Sequence, residues 1–408
     1  MRLFNNNARQ NKILFADKTV TLYEKMQTRT RVGFFGSTQA EDGIGLASKL
    51  HLEAIENSHQ EKYLIKKNIL SRPVTLENNT SGSQLLTGID NKLIMENEIN
   101  YFHFSPRWCK YYFKENSLHE SLLLKKNIGY WVCEVSEIPE KWLSHKKIYS
   151  EIWTSSDFCR DIYQKRLDIP VVTVPHPIAY RELSTHIESW FEGEENRPFR
   201  YLTIANAYSD LARKNITGVV NAYKIAYPKE NKLKQQLIIK LTNVESDPIG
   251  FDEIKRAAVG RVDIDIISEH YSPSQISDLY YTCNAYISLH RSEGFGLTIS
   301  DALGRGIPCI VTNYSGNVDF CKEGTGAYMV GYSLVKVGSD RLRYNSESIW
   351  AEPDLEDAAK GLIEVRDSYP SYVQRAKEHR EVLRKKYSDT TIGAKMKSRI
   401  DALIKEVQ

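Results

Sequence analysis

HRSEGFGLTISD, residues His290 to Asp301, sets a carboxylate, two glycines and a second carboxylate around a single turn. Before it, AYISLH (Ala285 to His290) alternates apolar with small or polar residues as a strand does, and after it TISDALGRG has the composition of a short helix closed by glycine. The turn from strand to helix therefore carries Glu293, Gly294, Phe295 and Gly296. Without Cβ atoms, the two glycines let the backbone approach a ligand closely. A helix that begins near Gly296, with Leu297 in its first turn, presents unpaired N–H groups backed by the positive end of its macrodipole, and a diphosphate satisfies both. Glu293 ahead of those donors and Asp301 one turn inside the helix can flank such a group, one carboxylate for sugar hydroxyls and the other for ribose. The chain then runs through Gly306, Pro308 and CIVT into NYSGNVDF (Asn313 to Phe320). A second strand thus brings a second small-residue turn to the same edge, where ligands sit in open α/β sheets.

Outward from this turn, strand-like and helix-like segments alternate along most of the chain, the pattern of parallel sheets covered by helices. Arg31–Gly36, Ile99–Phe104, Ile128–Val135, Ile148–Ser156 and Val171–His176 read as strands of a first half. Arg200–Ala207, Gln236–Thr242, Val262–Ser268, Ala285–His290 and Pro308–Tyr314 read as strands of a second. The expected class is α/β, with two doubly wound, Rossmann-like domains at residues 31–180 and 200–370. A polar linker at 181–199, broken by Gly193 and Pro198, joins them, and charged helices occupy 371–408. GSTQAEDGIGLASKL (Gly36 to Leu50) joins the first strand to a helix whose apolar stripe is expected at Leu46, Leu50 and Ala54, and Gly43 and Gly45 let that loop come close to a phosphate or an acceptor.

Composition bounds the function. A length of 408 residues suits two domains, and 41% hydrophobic with 26% charged residues is ordinary for a globular chain. A net charge of +3 argues against a dedicated nucleic-acid binder. The six cysteines (Cys109, Cys133, Cys159, Cys283, Cys309, Cys321) show no C-x-x-C spacing and sit mostly in apolar runs, as buried thiols of a reducing compartment do. No apolar run reaches the roughly 18 residues of a membrane span, and MRLFNNNARQNK has no signal-peptide core, so a cytoplasmic protein is expected. The basic extension at 1–30 leads into Arg31, and together they carry seven Lys or Arg against Asp17 and Glu24. That excess suits peripheral contact with the anionic inner, cytoplasmic face of a membrane; a solvated lead-in explains the same charges.

HRSEGFGLTISDALGRGIPCIVTNYSGNVDF resembles the donor-site signature of the family 4 glycosyltransferases of GT-B architecture, whose hallmark is a glutamate, seven residues and a second glutamate. Here Glu293 is the first, and Asp301, one methylene shorter, stands at the second. GYWVCEVSEIPEKW (Gly129 to Trp142), EIWTSSDF, VPHPI, RKN, LIIKLTN and IWAEPD are similar, in order, to blocks of polysaccharide-building members. The resemblance implies two domains facing a central cleft, the first on the acceptor side and the second holding a nucleotide sugar, with a C-terminal helix crossing back. It implies a retaining, metal-independent hexose transfer from a nucleotide-diphosphate sugar to a glycan or lipid-linked glycan, in bacterial surface polysaccharide assembly. No cofactor or metal is expected. A phosphorylase or sugar-phosphate synthase of the same architecture, and a silent sugar-nucleotide-binding scaffold, are the alternatives.

The resemblance also assigns roles. Glu293 orients the donor sugar, the backbone from Gly294 through Phe295 and Gly296 to Leu297 holds the diphosphate, and Asp301 reaches the ribose. Lys214, in ARKN, matches the phosphate-binding lysine. Relatives complete that clamp with an arginine upstream, where this chain has Asn206, Ala207, Tyr208 and Ser209; Arg213 or Lys240 is left to supply the second charge. His103, closing INYFHF, matches the histidine placed beside the transferred sugar. The family keeps a glycine-rich loop after the first strand, matching Gly43 and Gly45. His290 is expected to pack under the donor turn and His176 to shape the hinge. Asp263-x-Asp265 has the spacing of a metal motif that belongs to a different fold; on a strand, residues two apart share one face, and a solvated edge explains them.

Overall fold

The computed structural model describes residues 29–39, 43–58, 61–70, 89–113, 116–178, 197–232, 234–338 and 344–406. The basic residues 1–28, most of the expected linker and Ala40 to Asp42 of the glycine loop lie outside the described residues.

Two six-stranded sheets organise the molecule. The first contains β1 (Thr30–Gly36), β2 (Tyr63–Ile69), β3 (Ile99–His103), β4 (Lys126–Tyr130), β5 (Glu151–Thr154) and β6 (Val171–Thr173), in the order β2-β1-β3-β4-β5-β6. In the second, β7 (Phe199–Asn206), β8 (Gln235–Thr242), β9 (Ile264–Ile267), β10 (Ala285–Ser288), β11 (Cys309–Thr312) and β12 (Ala327–Val330) run in the order β12-β11-β10-β7-β8-β9. Every pairing in both is parallel. Parallel sheets covered on both faces read as continuous apolar runs, and β3 and β10 are buried along their whole length. All ten strands expected from sequence are present, most trimmed at the carboxyl end and four (β1, β4, β7 and β8) begun one or two residues earlier. β2 escaped because YLIKKNI carries two lysines on a half-exposed strand, and β12 because AYMV is short.

Strand order reverses between β1 and β3 in the first sheet and between β7 and β10 in the second, and each reversal opens a crevice at the carboxyl edge. Register places Gly36, His103 and Tyr130 side by side at the first of these edges.

The helix Gly43–Ser58 follows β1, but its buried face differs from the expected stripe. Leu46 is exposed, while Ala47, Leu50, His51, Ala54 and Ile55 turn inward, so a histidine faces the first sheet. A two-stranded antiparallel ribbon, β13 (Tyr332–Lys336) and β14 (Ile349–Pro353), leaves the second half and packs Val337 and Trp350 into the apolar core of the first. Its Ser136–Ile349 hydrogen bonds and the Asn345–Glu137 contact fix the halves together.

The chain ends as expected, by crossing back. Ile178 donates to the carbonyl of Tyr387 where the paths meet, and the helix Asp389–Lys405 then lies on Gly43–Ser58. Gly393 permits that approach: a Cβ there would sit 2.6 Å from the carbonyl oxygen of Ala54. Arg399 reaches the buried carboxylate of Glu151 on β5, which also accepts from the Trp153 indole at 2.6 Å. All six cysteines are free and buried. No helix among the described residues is long and apolar enough to cross a membrane.

Candidate functional site

The second crevice is shaped by backbone that ordinary residues avoid. Among the described residues, the non-glycine positions with positive φ are Asp210, Asn215, Asn243 and Ser315, and all four follow the carboxyl ends of β7, β8 or β11. Such conformations cost about 1–3 kcal/mol each and persist where surrounding contacts impose them. Asp210 caps the short helix Leu211–Lys214 by accepting from the N–H groups of Ala212 and Arg213; Asn215, left-handed, ends that helix and starts the next, its amide donating to Leu289 O at 2.9 Å. These two caps aim Arg213 and Lys214 at the loop after β10.

Glu293 meets them there. Its Oε1 accepts from Lys214 Nζ at 2.5 Å and lies 3.3 Å from Arg213 Nη1. Burial pushes the Glu293 carboxyl up, but Lys214 and Arg213 outweigh it and hold the group at about 2, so it is ionised at neutral pH. Arg213 is 1% exposed; it also donates to the carbonyls of Ser292 (2.6 Å) and Ser209 (2.9 Å). The turn itself is locked from β11: the Glu293 N–H donates to Ser315 Oγ at 2.8 Å and Gly316 N–H to Glu293 O at 2.9 Å. Gly296, at φ 94°, caps the helix Leu297–Gly304, a conformation that suits glycine. His290 is buried beside this group, and burial brings it down to about 4.

The first crevice is neutral. His103 stacks on Tyr130 (ring centroids 4.3 Å apart) and meets His51 edge-on at 5.0 Å. His51 Nε2 faces the carbonyl of Pro175 at 3.0 Å, and a carbonyl only accepts, so Nε2 carries the proton and Nδ1 accepts from Tyr101 OH at 2.7 Å. Both ring nitrogens of His103 lack a hydrogen-bond partner among the described residues. Burial lowers His51 to about 4, and it lowers His103 and His176 well below their ordinary value with help from the neighbouring imidazoles.

Direct contacts join the two crevices. Gly294 O accepts from Ser155 Oγ at 2.8 Å and Cys159 Sγ at 3.4 Å, both from the first half. Phe295 packs edge-on against His176 at 5.1 Å. A Cβ on Gly43 would lie 3.5 Å from Leu297, so Gly43 faces the start of the helix Leu297–Gly304; Gly45 is buried in the first turn of its own helix. Glu134, beyond β4, reaches Arg213 Nη2 at 3.2 Å and accepts from Tyr344 OH at 3.2 Å.

Two expected donor contacts are engaged otherwise. The Lys240 ammonium donates to the carbonyls of Leu241 (2.7 Å) and Glu269 (2.8 Å), so the second positive group beside Lys214 is Arg213. Asp301 pairs with Arg305 one turn on, at 3.5 Å; burial raises its carboxyl and Arg305 opposes that rise. Asp263, of the Asp-x-Asp spacing, takes both 2.8 Å hydrogen bonds of Arg261 and one from Tyr223. Sequence reading missed His51, Glu134, Ser155 and Ser315. Glu134 lies inside a block whose resemblance was recognised, but its partner stands 79 positions away, and nothing in the spacing joins them.

Comparison with known proteins completes the picture. Residues 169–395, more than half of the chain, match a family model described as family 4 glycosyltransferase in conflict systems. Over 113 residues the chain is 26% identical to the UDP-N-acetylglucosamine–peptide N-acetylglucosaminyltransferase GtfA subunit of Streptococcus pneumoniae serotype 4, covering 28% of this chain and 22% of that relative. Among solved structures, pneumococcal O-GlcNAc transferase GtfA in complex with UDP and GlcNAc superposes with a TM-score of 0.53 at 16% identity, over 75% of this chain and 57% of its own. Sucrose-phosphate synthase from Thermosynechococcus elongatus gives 0.66 at 10% identity, over 93% and 100%. Anabaena HepE in complex with UDP and glucose gives 0.60 at 11%, over 91% and 100%. At these identities the superpositions show the shared two-domain fold. The chain spans about a fifth of the curated relative and little more than half of the GtfA structure.

Proposed function

The chain belongs to the family 4 glycosyltransferases in conflict systems, and from that premise we propose that it transfers a hexose, with retention of configuration, from a nucleoside-diphosphate sugar to an acceptor hydroxyl. One observation carries the reading: Arg213, Lys214 and Glu293 converge beside a glycine-capped helix N-terminus at the switch point between β7 and β10.

Sugar transfer builds negative charge on the departing diphosphate. We assign its stabilisation to Lys214, Arg213 and the N–H groups of the helix that starts at Leu297, without a metal. Glu293 Oε1 is held by the two cations, which leaves Oε2 to accept from hydroxyls of the donor sugar. Because the carboxyl stays ionised, it accepts hydrogen bonds and does not serve as an acid. The bond between the anomeric carbon and the phosphate oxygen breaks while the acceptor oxygen bonds that carbon on the same face, and the acceptor proton passes to the leaving phosphate. His103, at the edge of the opposite crevice with unpartnered nitrogens, is the group we place beside the sugar. Gly43 and Gly45 belong to the acceptor side, and Asp301, if released from Arg305, to the ribose.

UDP sugars are the first donors to test, because the GtfA and HepE structures hold UDP with GlcNAc or glucose. For the acceptor we propose a glycan or lipid-linked glycan of a bacterial surface polysaccharide, met at the cytoplasmic face of the membrane through the basic N-terminal residues. A peptide hydroxyl is the second reading, favoured by the curated relative named for peptide transfer. The experiment is turnover across a donor panel with glycan, peptide and sugar-phosphate acceptors. Wild-type transfer that Glu293→Ala abolishes supports the reading; equal inactivity of both proteins across the panel overturns it and leaves a binding scaffold.

A further inference from the structure

Lys240 is a buried ammonium that the transfer chemistry does not use. It lies on β8 in register with Ile204 of β7 and Ile267 of β9, and the residue is fully buried. A lysine that loses its water must find other partners. This one has the carbonyl of Leu241 at 2.7 Å, the carbonyl of Glu269 at 2.8 Å and the face of the Tyr271 ring 4.9 Å away. Two of these three partners belong to the segment Ser268–Tyr271 that follows β9, in which Ser268, Glu269 and His270 are exposed. The ammonium therefore ties an exposed loop to the end of a buried strand.

That loop lies on the open flank of the donor crevice. Toward β11 the crevice is closed: a Cβ on Gly316 would sit 2.3 Å from Gly294 O, and Ser315 and Gly316 are bonded to Glu293. Toward β8 and β9 the edge carries left-handed Asn243, whose amide donates to Asn206 Oδ1 at 3.1 Å, then the loop held by Lys240. On the nucleotide-sugar reading, a nucleotide whose diphosphate rests on Lys214 and the helix N-terminus would extend its nucleoside toward this flank, because the β11 side is closed. Its base then meets the main chain of 268–271, whose N–H and C=O groups read a base edge only when the loop is held in one place.

We propose that Lys240 is a positioning residue that fixes the loop 268–271 to select the nucleobase of the donor, acting through the Glu269 carbonyl without touching the diphosphate. The inference rests on the nucleotide-sugar reading above, and its test separates the two. Binding of UDP, GDP, ADP, dTDP and inorganic pyrophosphate to the full chain is measured by calorimetry for wild type, Lys240→Met, Lys240→Arg and Tyr271→Leu. In Lys240→Met the preferred nucleoside diphosphate weakens about tenfold or more, the cost of losing a pre-organised contact surface, and its lead over the other bases narrows. Pyrophosphate changes by less than about twofold, since one phosphate-contacting charge lost would be worth far more. Lys240→Arg recovers part of the selectivity. If Lys240→Met does not fold, Tyr271→Leu, which removes the ring beneath the ammonium, shows the same narrowing to a smaller degree. Equal weakening of nucleotide and pyrophosphate, or unchanged base preference in the folded variants, overturns the proposal. Wild type that binds pyrophosphate and no nucleoside diphosphate overturns the nucleotide-sugar reading itself, and this inference with it.

Discussion

At the carboxyl edge of the first sheet, between β1 and β3, the chain gathers His51, His103 and His176 with Tyr101 and Tyr130; at the matching place in the second, between β7 and β10, it gathers Arg213, Lys214 and Glu293. The same topology makes both crevices, yet burial is met in opposite ways. Histidine sheds its proton, and the first crevice stays neutral. Arginine cannot, so the second crevice keeps its charge by recruiting Glu293 and, from across the cleft, Glu134. A crevice is what the fold supplies; its electrostatics come from residue types that can or cannot neutralise. A neutral wall facing a charged one suits a reaction whose acceptor is uncharged and whose leaving group is a dianion.

Breaking the charged side should have the largest effect. Arg213→Met removes a buried guanidinium and leaves Glu293 and three other acceptor oxygens, of Glu134, Ser292 and Ser209, with less compensation; we expect a loss of about 3–5 kcal/mol in a denaturant melt. Lys214→Ala should lower kcat about 10²–10³-fold, roughly 3–4 kcal/mol, with a much smaller change in melting, because its ammonium is nearer solvent.

Acid should separate the two sides by pH window. The folded histidines bind protons less readily than the unfolded chain does, so their contribution is whole above about pH 6.5 and is lost as pH falls below it, through about 4 for His51. For His51 alone, a shift from 6.5 to about 4 corresponds to about 3 kcal/mol. Glu293 behaves in the lower window: its folded carboxyl is depressed, so its contribution is whole above about pH 4.5 and falls away toward 2. Melting temperature against pH should thus begin to drop near 6.5, and His51→Phe should flatten the upper limb while sparing the lower. A single drop confined to pH below 4.5 would contradict the neutral-crevice account.

Glycines give the smallest and most local contrast. A Cβ on Gly294 would stand 2.2 Å from Val132, and Gly294→Ala should cost about 1–3 kcal/mol by forcing the halves apart there. One on Gly43 meets only an ordinary 3.5 Å contact, so Gly43→Ala should stay within about 0.5 kcal/mol.

Much of this was legible in the chain. The Glu293 turn and the ten strands follow from period, glycine placement and order, all local signals, and the Arg213–Lys214 pair follows from the resemblance. Less legible was anything that depended on which way a helix turned. Leu46, Leu50 and Ala54 suggested one stripe for the helix Gly43–Ser58; Leu50 and Ala54 are buried, but Leu46 is exposed and the buried face takes in Ala47 and His51 instead. The ribbon β13–β14 was missed because its outer face is exposed and its inner face, Val335 opposite Trp350, packs on the core of the other half.

Local sequence therefore determined the elements, their class and the residues at the strand ends, because backbone propensity and hydrophobic period act within a few residues. Only the tertiary structure decided which charges meet across elements. Glu134 on Arg213 and Lys240 on the Glu269 carbonyl rather than beside Lys214 are set by how strands order, whereas Arg305 on Asp301, four positions apart on one helix, is a pairing that spacing in the chain makes by itself. Electrostatic partnership depends on distance in space, and for groups on different elements strand order in the sheet, not spacing in the chain, fixes that distance.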